Sequence, residues 1–98
     1  MTKRVRLSRR ARADLQRIGR YTIETWGVAQ ADAYLGEINA AFERLADGHR
    51  RGRPIPEIDP NLMKTTAGSH VIFYRTSDAA ILVVRVLHER MDPARHLL

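Results

Sequence analysis

From Val28 to Asp47 the apolar residues fall at alternating spacings of three and four without a miss: Val28, Ala31, Leu35, Ile38, Phe42 and Leu45. An α-helix turns such a series into one continuous face. The spacing predicts a helix over 28–47, with Gly48 as its stop because glycine accepts a left-handed backbone. The preceding segment supplies a neighbour. Ser8 is a fitting N-cap, since its hydroxyl can accept from an orphan amide of the first turn. Arg9 to Trp26 then reads as helix, with Ala11, Leu15, Ile18, Thr22 and Trp26 on one stripe. Only Gly27 separates the two helices, so they are predicted to form an antiparallel hairpin. Their apolar stripes are too wide for each other alone, which predicts that the hairpin covers a sheet.

The rest of the chain supplies that sheet. Lys3 to Leu7 alternates basic residues with Val5 and Leu7, the period of a half-buried strand. His49 to Pro60 is expected to be a loop, because Pro54 and Pro56 remove amide donors. Leu62 to Thr66 reads as a short strand ended by Ala67-Gly68, and Ser69 to Thr76 as a second. After a Ser77-Asp78 turn, Ala79 to His88 reads as a strand whose apolar run suggests a central, doubly covered place. Asp92 would cap a last helical turn that Pro93 starts. The expected class is α+β, ordered β-α-α-β-β-β, a helical hairpin packed on a small antiparallel-rich sheet. The 98 residues suit one domain, 1–98.

Charge narrows the function. The formal net charge is +6, which favours an acidic partner: nucleic acid, an acidic protein or an anionic surface. Lys3, Arg4, Arg6, Arg9, Arg10 and Arg12 crowd the first dozen residues with no acid among them. Arg9, Arg10 and Arg12 also sit at a helix start, where the macrodipole opposes them by roughly a few tenths of a kcal/mol each. Asp14 offsets little of this. Two readings stay open for this corner: a site for a carboxylate- or phosphate-rich partner, or a solvated face. The chain has no cysteine, which excludes disulfides and thiolate chemistry. No apolar segment follows Met1-Thr2-Lys3-Arg4, and the longest apolar run, Ala79 to Val84, is too short to span a bilayer. A cytoplasmic protein without membrane contact is expected.

Catalytic motifs are sparse. There is no glycine-rich phosphate loop, HExxH or G-x-S-x-G. His49, His70, His88 and His96 are not spaced for a metal, so neither a metal nor a cofactor is expected. His88 ends a buried strand and is followed by Glu89-Arg90. It reads either as a general acid or base for metal-free RNA cleavage, or as a sheet-end residue bonding a backbone carbonyl. Tyr21, Trp26, Tyr34 and Phe42 fall on or beside the helical stripes and are expected in the core. A basic nucleic-acid-binding module acting alone is one further class the charge allows.

Several stretches then carry a resemblance. Ser8 to Ile18, Tyr21 and Trp26-Gly27 resemble the first helix of ParE toxins, with its serine, alanine, Asp-Leu pair, isoleucine and Trp-Gly. Ala31, Tyr34-Leu35 and Phe42-Glu43-Arg44-Leu45-Ala46 resemble their second. His70 to Arg75 and Arg85-Val86-Leu87-His88-Glu89-Arg90-Met91-Asp92 are similar to their closing strands. The resemblance implies the RelE/ParE superfamily fold and a hetero-oligomer with a ParD-type antitoxin, through which most DNA contact would run. It implies inhibition of DNA gyrase without an enzymatic step. RelE-type members instead cut messenger RNA on the ribosome; here Val71 stands where a catalytic arginine would align, and no tyrosine follows Tyr74. The expected target contacts are Arg85, His88, Arg90, Met91 and Asp92. The expected antitoxin contacts are Arg9, Arg10 and Arg12.

Overall fold

In the computed structural model, which describes residues 2–97, the chain runs β1 (Arg4–Leu7), α1 (Arg9–Trp26), α2 (Val28–Asp47), β2 (Arg53–Pro54), β3 (Met63–Ala67), β4 (His70–Thr76), β5 (Ala80–His88) and α3 (Pro93–Leu97). This is the expected α+β order with one added strand. The 49–60 segment is not wholly loop, because Arg53 and Pro54 pair with Lys64 and Met63. Pro54 is tolerated there because β2 is an edge strand, where a missing amide need not break a ladder.

The strands lie in the order β1-β5-β4-β3-β2. β1 and β5 are parallel, and every other pair is antiparallel. The last strand thus inserts between the first strand and β4, placing the β1–α1 corner beside the end of β5.

The hairpin forms as its caps dictate. Ser8 is extended, and its Oγ accepts the Ala11 N–H at 3.0 Å. Gly27, at φ 93°, ends α1 and starts α2: its N–H donates to Ile23 O, and its carbonyl accepts the Ala31 N–H. The helices lay Ala11, Ile18, Ile38, Phe42 and Leu45 on Ile72, Ile81, Val83 and Val86 of the sheet. A smaller cluster of Ile55, Leu62, Phe73 and Leu87 gathers partly buried Met91 and Leu97.

Two details correct the sequence expectations, and a third adds to them. β5 is central, but its double cover is partial, since Leu82 remains 38% exposed. The apolar stripes also outrun their cover. Thr22 is the last buried residue of α1 and Ala31 the first of α2, while Trp26 and Val28 between them are exposed. Finally, the β4–β5 register shifts between Phe73 and Tyr74, which pair with Arg85 and Val83. Val84 is the extra residue of a β-bulge. Without it, His70 would face Leu87; with it, His70 faces His88.

Candidate functional site

β1 pairs with β5 only as far as Val83, which leaves the β5 backbone without a strand neighbour on that side. Side chains from the β1–α1 corner take over. Ser8 Oγ donates to Val84 O at 2.7 Å, and Asp14 Oδ2 accepts the Val86 N–H at 2.9 Å. The same carboxylate receives Arg85 Nε at 2.8 Å and Arg85 Nη2 at 2.9 Å, in the forked geometry that suits guanidinium and carboxylate. Arg17 adds an ion pair to Asp14 from the next turn of α1. Arg85 Nη1 donates to His96 O at 3.0 Å and so ties α3 to the strand. The Asp14 hydrogen bonds hold Arg85 above its ordinary pKa, against the opposing effect of burial.

This changes the standing of two residues. Asp14 does not serve the helix start; it is buried under α1, and the first turn of that helix holds no acid. Arg85, expected to face a target, has a side chain only 11% exposed. It faces Asp14 because β1 stops short and leaves that position to α1. Nothing local in the sequence marks the pair, since 71 positions separate its members.

Beyond this anchor lies a groove of about 510 Å³, between the second half of α1 and the paired ends of β4 and β5. Tyr21 and Trp26 line it at 66% and 69% exposed, and Met91 lines it as well. Of the four aromatics expected in the core, only Phe42 is fully buried; Tyr34 is half-buried. Tyr34, His70 and His88 form one polar chain in the groove. Tyr34 Oη accepts the Ser69 N–H at 2.9 Å and lies 2.5 Å from His70 Nδ1. Assigning the phenolic proton to that second bond leaves His70 with its N–H on Nε2. The His70 and His88 rings meet edge to face, with centroids 5.3 Å apart. Burial first, then the neighbouring His88, pushes His70 below its ordinary pKa. Burial raises Tyr34.

His88 Nδ1 accepts the Arg90 N–H at 3.2 Å, so its backbone partner is an amide rather than the expected carbonyl. Arg90 is exposed. Asp92 caps α3, with Oδ1 accepting the Ala94 N–H at 3.1 Å. The structure therefore brings His88 and Met91 together in the groove, leaves Arg90 exposed outside its lining and holds Arg85 on Asp14. Sequence reading missed Tyr21, Trp26, Tyr34 and His70 as members. The one available signal was the register of β4 on β5, which the bulge obscures. Of the expected antitoxin contacts, Arg9 and Arg10 stand in solvent and Arg12 lines a second groove beside β1, together with Arg4 and Arg6. Among the described residues, no three His, Asp or Glu side chains cluster to hold a metal ion.

The family model for the ParE toxin of type II toxin-antitoxin systems, parDE, matches residues 5–93. The chain belongs to the ParE toxin family. It is similar to Toxin ParE1 of Mycobacterium tuberculosis, 48% identical over 99% of this chain and 100% of that protein. It is likewise similar to Toxin ParE1 of Caulobacter vibrioides, at 40% identity over 97% of this chain and 98% of the other. The fold matches a chain in the solved chromosomal ParDE system from P. aeruginosa, with a TM-score of 0.75 at 20% identity, covering 89% and 96% of the two chains. As in that family, the chain is a type II toxin built as two helices on a mixed sheet. No helix among the described residues is long and apolar enough to cross a membrane.

Proposed function

We propose that this toxin inhibits DNA gyrase by binding rather than by cleaving, and that a ParD-type antitoxin holds it inactive in the cytoplasm. Family membership supports the target class and the antitoxin. The observation that carries the binding mode is the groove wall: two aromatics, Tyr21 and Trp26, stand uncovered in the groove that His88 and Met91 also line. Exposed aromatics clustered on a groove are what binding hot spots are made from. Arg85 supports the same reading, because the strand cation a nuclease would aim at phosphate is already forked onto Asp14. Arg85 would act by positioning the closing strand, and His88, Arg90 and Met91 by contact. Asp92 would act as a cap.

One observation favours a second reading, RelE-like cleavage of ribosome-bound messenger RNA. His70 and His88 sit together with Tyr34, and two imidazoles are a usable acid–base pair. Induced expression in a bacterial host separates the two. The gyrase reading predicts growth arrest with a DNA-damage response and intact message, relieved by co-expressed antitoxin. Cleavage at codon sites without DNA damage selects the second reading.

A further inference from the structure

The basic residues that follow α2 meet on the face of the sheet turned away from the helical hairpin. Gly52 donates its N–H to the Tyr74 hydroxyl at 2.8 Å, and a side chain on Gly52 would collide with that hydroxyl and with Lys64 O. Tyr74 belongs to the core beneath the hairpin, so the chain here turns Gly52 toward the helices. Successive residues of an extended chain point to opposite sides, so Arg51 and Arg53 project from the other face. Arg53 pairs there with Lys64, which pairs in turn with Phe73 of the smaller cluster. Thr66 and Val71 form the next pair on that face.

These side chains line a cleft of about 400 Å³. Arg51 and Arg53 are exposed, and Lys64 is half-buried. Among the described residues no carboxylate lines the cleft, and Val71 is its one apolar side chain. None of the three cations has an ion-pair partner among the described residues. Arg53 and Lys64 stand directly opposite each other on neighbouring strands, where like charges destabilise a sheet. Local rules are broken in this way at sites shaped for something else.

We propose that this face binds the phosphate backbone of duplex DNA, with Arg51, Arg53 and Lys64 each meeting a phosphate. The choice of duplex rests on the gyrase reading above, since DNA is that enzyme's substrate. Exposed cations and the Thr66 hydroxyl suit phosphate oxygens. An acidic protein would find no aromatic or large apolar anchor in the cleft. Among the described residues no histidine, tyrosine or carboxylate lines it, so it can hold a phosphodiester but offers no general acid or base to cleave one.

Titration of the purified toxin into a short labelled duplex tests this without gyrase. The logarithm of the binding constant falls linearly with the logarithm of salt concentration, with a slope of about −2.7 for three phosphates. R51E/R53E weakens binding roughly tenfold or more and brings the slope to about −1. R53E makes the pair with Lys64 an attractive one, so the double variant melts no lower than the wild type. R51Q/R53Q, which removes the charges without reversing them, repeats the loss. R9E/R10E, the same charge change at the start of α1, shifts affinity less than about threefold at about 0.1 M salt, where charges beyond about 10 Å are largely screened. The face is overturned, and the gyrase reading untouched, if the toxin binds no duplex at low salt or if R9E/R10E loses as much as R51E/R53E. Single-stranded RNA bound more tightly than the duplex also overturns it and selects the second reading of the function. A toxin that binds duplex through these residues yet leaves supercoiling unchanged sinks the gyrase reading and leaves the face standing.

Discussion

The two halves of α1 make opposite use of their side chains. In the first half, Ser8, Ala11 and Asp14 face inward, and the Ser8 hydroxyl and the Asp14 carboxylate have their partners on β5 and in the helix itself. In the second half, Tyr21, Ile23 and Trp26 project large apolar surface into solvent. Both halves carry the same helical period, so the pattern alone does not separate them. The sheet does: α1 packs on β5, and past Thr22 the helix has little beneath it. A helix end that keeps its apolar residues after its cover has stopped is shaped for another surface.

The strongest way to break this contrast is to cut the anchor. Asp14→Ala leaves the Arg85 guanidinium buried and the Val86 amide without its acceptor. Breaking a buried pair by removing one partner costs about 3–5 kcal/mol. Urea unfolding should show a loss on that scale. A cost under about 1 kcal/mol, the range of a solvated ion pair, would contradict the anchor.

The second test is the opposite one. Trp26→Ala should leave the unfolding free energy within about 0.5 kcal/mol of the wild type, as at an ordinary surface site. The same variant should weaken the target complex by about 2 kcal/mol, the hot-spot scale. A core tryptophan behaves the other way round, losing about 3–5 kcal/mol of stability.

A smaller effect sharpens the contrast at the groove floor. His70 titrates below its ordinary value of 6.5 because it is partly buried and close to His88, while Glu89 and Asp14 pull it the other way. The unfolded chain therefore takes up a proton on His70 at a pH where the folded chain does not. Stability must fall as pH drops through about 6.5 and level off once folded His70 is protonated too. His70→Gln should flatten that slope in a series of unfolding curves between about pH 8 and pH 5, roughly the window of histidine titration. Smallest of all is Asp92→Asn. Asparagine caps a helix about as well as aspartate, so toxicity in a growth assay should not change if Asp92 only caps α3.

Much of the fold was legible because its signals are local. The unbroken series from Val28 to Leu45 and the caps at Ser8, Gly27 and Gly48 set the hairpin to the residue. β2 was not legible, since two residues including a proline carry no alternation. The site was harder. Tyr21 and Trp26 keep the helical period, and only the extent of the sheet shows them to be uncovered. Asp14 and Arg85 meet because β1 ends at Leu7, and His70 meets His88 because Val84 bulges; both are facts of pairing between distant segments. The tail candidates His88 and Met91 reached the groove as a neighbouring pair in sequence, whereas Arg85 was diverted inward by an acid on another element.

Gyrase supercoiling, titrated with the purified toxin and then with its antitoxin, tests the central claim most directly. The account predicts that supercoiling stops as the toxin is added, that the antitoxin restores it, and that Trp26→Ala, while remaining folded, needs roughly thirtyfold more protein to stop it, the equivalent of about 2 kcal/mol. Undiminished supercoiling at toxin concentrations that arrest growth would contradict it.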